Sequence, residues 1–170
     1  LAQVTERDPA SEGVLDYIPA LRAYAWSLTR RHQEVDDLVQ ETLMKAIANI
    51  DRFQMGTNLR AWLMTIMRNT FYNQIAKRKR ETFGEKDCAS GMAWVPGTQE
   101  WTLHGTEIMG AVERLPPHYR ETLILVVMLG ESYETTAEIC GVATGTIKSR
   151  VNRARAMVLE QLGEVEMTRM

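Results

Sequence analysis

The chain has 170 residues, 45% hydrophobic and 25% charged, a composition that fits a globular protein and excludes wholesale disorder. No run approaches 18 apolar residues and no basic segment leads an apolar one at the start, so neither a membrane span nor a secretory leader is indicated and a cytoplasmic location is expected. Cys88 and Cys140 stand far apart, without His or Cys at metal-ligand spacing, so both read as reduced and structural and no metal or other cofactor is expected.

The net charge of −2 conceals a strong segregation. Residues 52–80 carry Arg52, Arg60, Arg68, Lys77, Arg78, Lys79 and Arg80 and no acid. Residues 139–159 carry Lys148, Arg150, Arg153 and Arg155, again without an acid. Two cationic segments in an otherwise acidic chain suit two separate contacts with phosphate. A merely solvated face is the competing reading, and for Lys77 to Arg80 taken alone it is the favourite.

Period-two alternation is almost absent and spacings of three and four recur, so the fold class is all-α. A first helix is expected over 14–31, its regular part starting near Pro19. A second covers about 34–50, with Val35, Leu38, Val39, Thr42, Ala46, Ile47 and Ile50 as its apolar stripe. After a loop at 53–57, a third helix spans 58–80 and would be about 30 Å long. Its inward side holds Leu59, Trp62, Leu63, Ile66, Met67, Thr70, Phe71 and Ile75. Residues 82–105 lose periodicity and read as a flexible linker, in which Trp94 and Trp101 are unusual. Helices follow over 106–115 and from Pro117 to before Gly130. A short helix at 132–140, a turn at 141–144 and a longer helix at 145–162 end the chain. Length and composition alone would allow one medium domain or two small ones. The linker divides the chain into units at 1–81 and 106–170.

The stretch YETTAEICGVATGTIKSR at 133–150 has the anatomy of a helix-turn-helix. Ala137 is small where two helices cross, and Gly141 can take the left-handed conformation that ends the first. Val142 and Ile147 fill the shared core, and Ile147, Val151, Ala154 and Val158 repeat inward at helical spacing. Lys148, Ser149, Asn152 and Arg153 then project outward to reach base edges in a major groove, with Thr146 and Arg150 placed to hold phosphates. A plain helical hairpin explains neither the Ala-Gly spacing nor the acid-free second helix.

On the third helix, Arg68, Asn69, Tyr72 and Asn73 share a stripe followed by Lys77, Arg78, Lys79 and Arg80. Amides, a ring and cations together suit unstacked single-stranded bases beside a phosphate track. For Trp62 and Phe71 a core position is the better reading. On the second helix, Asp37, Gln40, Glu41 and Met44 lie opposite the apolar stripe as an ordinary solvated face. Paired carboxylates could suggest acid/base chemistry, but no His at ligand spacing and no nucleophile accompany them, which speaks against an enzyme.

These segments together resemble the ECF sigma factors. DDLVQET at 36–42 is similar to the family's helix for docking on RNA polymerase, which implies that Asp37, Gln40 and Glu41 bind the clamp helices of the largest subunit. NLRAWL at 58–63 with RNT at 68–70 resembles the segment that melts the promoter and captures its −10 element, assigning Asn69, Tyr72 and Asn73 to strand capture. GTIKSR at 145–150 with RAR at 153–155 resembles the −35 recognition helix. The wording GTNLRAW at 56–62 and RNTFY at 68–72 is nearest the EcfG general-stress-response subgroup, whose members are held inactive by a small helical anti-sigma protein. Thr136 departs from the family's usual aliphatic residue, which implies looser packing there. The resemblance thus implies a non-enzymatic initiation factor whose partners are core RNA polymerase, promoter DNA and an anti-sigma protein, with no membrane and no small-molecule substrate.

A sigma-like decoy that binds the anti-sigma protein without DNA is a first alternative. It would need neither the Lys77 to Arg80 cluster nor the cationic last helix, and the receiver domain expected of such a regulator is missing. A stand-alone helix-turn-helix regulator is a second, but the chain shows no dimerisation heptad. A nuclease or deaminase is more distant still, for want of a metal cluster or phosphate-cradling glycine loop.

Overall fold

The computed structural model describes residues 13–81 and 103–168, and those residues contain helices and turns but no strand. The expected linker, with Trp94, Trp101 and Cys88, lies almost wholly outside them. After a helical turn at 13–15, α1 runs Ile18–Thr29, α2 His32–Ala48 and α3 Leu59–Glu81. The second unit holds α4 Leu103–Glu113, α5 Pro117–Leu123, a π-helical turn Ile124–Met128, α6 Tyr133–Cys140 and α7 Thr144–Thr168.

Local chemistry accounts for most of the boundaries. Pro19 sits in the first turn of α1, where its missing N–H costs nothing. The same helix ends earlier than expected, because Arg30 adopts a left-handed φ of 59° and its N–H closes on the Trp26 carbonyl. Asn58 caps α3 by accepting from the Ala61 N–H at 3.0 Å. Ser132 caps α6 through the Thr135 N–H at 3.0 Å, and Gly141 ends it at φ 65°. Helix α4 starts at Leu103, inside the span read as linker. Gly105 lies within its first turn, and an interior glycine costs a helix only about 1 kcal/mol.

The first unit packs α1, α2 and α3 on one another. Val35, Leu38, Val39, Thr42 and Ala46 of α2 are buried, as are Leu63, Met67 and Thr70 of α3, while Trp62 and Phe71 pack partly buried against the core. Ile47 corrects the expected stripe: it is 52% exposed. Buried positions 35, 38, 39, 42 and 46 follow one seam, and a residue one step past Ala46 turns about 100° away from it. In the second unit α7 crosses α4, α5 and α6, and Ile147, Val151, Ala154 and Val158 are all buried.

The two units are in contact, and their buried residues form one continuous cluster. Helix α1 meets α5, and α3 meets α6. Polar ties cross this seam. The Tyr24 hydroxyl donates to Glu121 at 2.7 Å and Arg68 Nε donates to the same carboxylate oxygen at 2.9 Å. Arg120 Nε donates to the Ser27 carbonyl at 2.8 Å. Arg60 donates to the Leu129 carbonyl at 2.6 Å and lies 2.8 Å from the Glu131 carboxylate, the latter a charge contact whose alignment falls short of a hydrogen bond.

Candidate nucleic-acid interface

The outer face of α7 is built by local rules. Gly141 reverses the chain, Thr144 starts the helix, and the buried row at 147, 151, 154 and 158 fixes its rotation. Lys148, Ser149, Asn152 and Arg153 are therefore exposed, and Thr146 and Arg150 sit half-buried at its margin. Among the described residues, neither Lys148 nor Arg153 enters an ion pair. Such a face keeps its cations available to phosphate and to guanine edges. Behind it, Thr136 is fully buried and its hydroxyl finds no hydrogen-bond partner among the described residues. The residue that departs from the family's usual aliphatic one thus brings a polar atom into the core in place of a methyl group.

Helix α3 is different. Asn69, Tyr72 and Asn73 are exposed, and so are Lys77, Arg78, Lys79 and Arg80. Arg68 is not free: it is paired with Glu121 and stacks over the Tyr72 ring at 4.6 Å. The expectation of an uncompensated positive surface along α3 is thus corrected at Arg68 and Arg60, both of which turn into the seam. Arg78 lies 3.4 Å from Glu34, and Lys77 lies 3.9 Å from Glu81, both with much of their side chains in solvent. Exposed pairs of this kind are weak and yield readily to a stronger anion.

Electrostatics at the seam follows from burial. Tyr24 holds its proton well above the ordinary tyrosine range, first because it is buried and then because the Glu121 charge faces it. Burial also raises Tyr72, with Glu121 adding to it. Burial works most strongly against the charge on Arg68, but Glu121 together with Tyr24, Cys140 and Tyr72 outweighs it, and the guanidinium is held more firmly charged. The Cys140 thiol is pushed up to about 12 by burial and by Glu121, which leaves it an inert thiol. Arg120 is pushed down to about 10 by burial and by Arg30.

On α2, Asp37 and Gln40 are exposed, whereas Glu41 is half-buried, bonded to Lys45 at 2.7 Å and to Gln74. The Lys45 hydrogen bond holds the Glu41 carboxyl below its ordinary range. Met44, 71% exposed, and Ile47 extend this face with apolar surface that sequence patterning had assigned only in part.

A second feature escaped sequence reasoning. Ile108 and Val112 of α4, Val127 and Met128 of the π turn, and Val158 and Leu159 of α7 line an apolar groove of about 430 Å³ with Arg155 at its edge. The signal was the run Leu125, Val126, Val127, Met128, which is apolar on every side where an amphipathic helix would turn polar. Among the described residues, no group of His, Cys, Asp and Glu could hold a metal, and no helix is long and apolar enough to cross a membrane.

A helix-turn-helix with a free cationic outer face, beside a helical bundle with a mixed amide, aromatic and cationic face, defines an all-α DNA-binding protein. Comparison with known proteins narrows this class. Residues 14–81 match Sigma-70 region 2, and residues 106–158 match Sigma-70 region 4. The chain is 49% identical to the ECF RNA polymerase sigma factor EcfG of Rhodopseudomonas palustris, across 88% of this chain and 82% of that protein. It is 33% identical to the ECF RNA polymerase sigma factor SigC of Mycobacterium tuberculosis, across 84% and 80%. The sigma factor RpoE, solved in complex with the anti-sigma factor NepR from Bartonella quintana, shares the fold at TM-score 0.78 and 45% identity, covering 89% of this chain and 95% of that one. The chain therefore belongs to the ECF sigma factors, which bind core RNA polymerase and direct it to promoters.

Proposed function

We propose that this sigma factor reads a promoter with two separate units, 1–81 and 106–170, joined by 82–105, and that it acts in the cytoplasm and catalyses nothing itself. The observation that carries the reading is the free cationic face of α7, exposed at Lys148, Ser149, Asn152 and Arg153. Those side chains enter the major groove of the −35 element, while Thr146 and Arg150 hold flanking phosphates. Asn69, Tyr72 and Asn73, with Arg68, capture unstacked bases of the −10 element, and Lys77 to Arg80 track the strand. Asp37, Gln40 and Glu41, with the apolar Met44 beside them, dock on the polymerase clamp helices.

The likeness to EcfG and to a sigma factor crystallised with NepR supports a role in a general stress response under a small helical anti-sigma protein. The groove beside α7 suits the apolar side of such a partner's helix. Neither unit alone carries many phosphate contacts, so each binds DNA weakly and polymerase supplies the effective concentration. The test is reconstituted initiation. Core polymerase plus this protein is expected to start transcription at a discrete set of promoters in a genomic library, and a small helical partner is expected to suppress it. Absence of any specific start would overturn the reading.

A further inference from the structure

Helices α4, α5 and α7 and the π-helical turn enclose the apolar groove of about 430 Å³ in the second unit. Nine of its ten lining residues are apolar, and Arg155 is the one that carries a charge. Four of the nine large hydrophobic side chains exposed among the described residues stand on it: Ile108, Val127, Met128 and Leu159. We propose that this groove binds a small anionic amphiphile, an alkyl chain of about ten carbons ending in a carboxylate. The chain lies along the groove and the carboxylate accepts from the Arg155 guanidinium.

One wall of the groove is built by a departure from regular helix. Through Ile124–Met128 the chain makes a π turn, in which the Leu129 N–H reaches back five residues to the Ile124 carbonyl at 3.0 Å. The extra residue in that turn leaves Val127 and Met128 at the groove with about half of each in solvent. Single π turns are rare and occur frequently at functional sites. Apolar side chains gathered in one concave place are the ordinary lining of a small-molecule site, and such sites hold about 300–1,000 Å³.

The lining selects the ligand. A polar molecule would lose its water here without gaining partners, because Arg155 alone among the lining side chains carries a strong hydrogen-bonding group. At about 30 Å³ for a water-sized group, the space takes about a dozen methylenes. Arg155 precedes Leu159 by four residues in α7, which puts both on one face a turn apart. Its stem covers apolar surface while its exposed head stays in water. Among the described residues it enters no ion pair, so its N–H donors are open to both oxygens of a carboxylate. A cationic head would be repelled there, and a neutral one would leave the guanidinium unused. On the reading that a partner's helix seats in this groove, an occupied groove is closed to that helix, and the ligand decides whether the partner docks.

The test titrates the full chain with sodium decanoate, kept below the concentration at which it forms micelles, by isothermal calorimetry at about pH 7.5, where the carboxylate is ionised. One decanoate per chain is expected to bind and to raise the thermal midpoint, as a ligand of the folded state does. Octanoate, two methylenes shorter, is expected to bind about tenfold more weakly. Arg155→Gln should weaken decanoate about fivefold and leave decanol unchanged. Leu159→Glu, a substitution on an exposed part of the wall, should weaken decanoate at least about tenfold. Circular dichroism checks that both variants keep their helices. The proposal is overturned if wild type takes up no decanoate, if decanoate lowers the midpoint as a denaturing surfactant does, or if both folded variants bind it as well as wild type. Equal affinity for decanol and decanoate, unmoved by Arg155→Gln, overturns it too. Run-off transcription keeps the site apart from the promoter reading. Initiation by a wild type that ignores decanoate sinks the groove site alone, whereas decanoate binding by a chain inert on every promoter upholds the site and sinks the promoter reading.

Discussion

The two cationic helices began as equals in the sequence and end in opposite states. Helix α7 presents Lys148 and Arg153 without an ionic partner among the described residues, whereas α3 has Arg60 and Arg68 drawn into a seam with Glu131 and Glu121. Charge segregation along a chain therefore locates cations but does not say which remain available. Availability is decided by what packs opposite. The α7 row is turned outward by its own buried neighbours, while the α3 pair meets carboxylates more than 50 residues further along the chain.

The comparison can be sharpened first at the seam itself. In a Cys88→Ser background, Cys140 is expected to react with iodoacetamide at pH 8 about a thousandfold more slowly than an ordinary thiol, because its thiolate fraction falls with the rise from 9.0 to about 12. Since the folded thiol holds its proton more tightly than the unfolded one, its contribution to stability is complete below about pH 9 and is lost as pH rises toward 12. Rapid labelling of the folded chain would mean that the seam is not closed. On α7, Lys148→Glu with Arg153→Glu is expected to lower promoter-specific transcription by about a hundredfold or more, as loss of two base-reading contacts implies. Polymerase binding, read by native gel, should be unchanged.

Smaller effects follow. Tyr72→Ala is expected to reduce open-complex formation by about tenfold, the scale of one lost base stack, with binding to closed duplex intact. Thr136→Val replaces a buried, unbonded hydroxyl with a methyl group of the same shape. It should raise stability by about 1 kcal/mol in urea denaturation, and a loss instead would show that the hydroxyl has a partner.

Much of this was legible because it is local. Ala137 and Gly141 set the helix crossing, Ser132 and Asn58 cap their helices, and the row from Ile147 to Val158 repeats within one helix. Each rule involves residues within about one turn of each other. The seam was not legible, because Arg68 and Glu121 are 53 positions apart and Tyr24 and Glu121 are 97 apart. No periodicity encodes such pairs. The π turn was missed for a related reason: the chain read as a helix up to Gly130, but the Leu129 N–H reaches back to the Ile124 carbonyl while Arg60 of the other unit takes the Leu129 carbonyl. Ile47 and Met44 show the limit of an apolar stripe, since a hydrophobic residue just off the seam stands exposed.

The division of labour between the units is tested most directly by footprinting the reconstituted holoenzyme on one promoter, with hydroxyl radicals for protected backbone and permanganate for unpaired thymines. Lys148→Glu with Arg153→Glu should erase protection around −35, and Asn69→Ala with Tyr72→Ala should erase permanganate reactivity around −10 while −35 protection survives. Loss of both signals in both variants, or of neither in either, would contradict two units that read duplex and single strand separately.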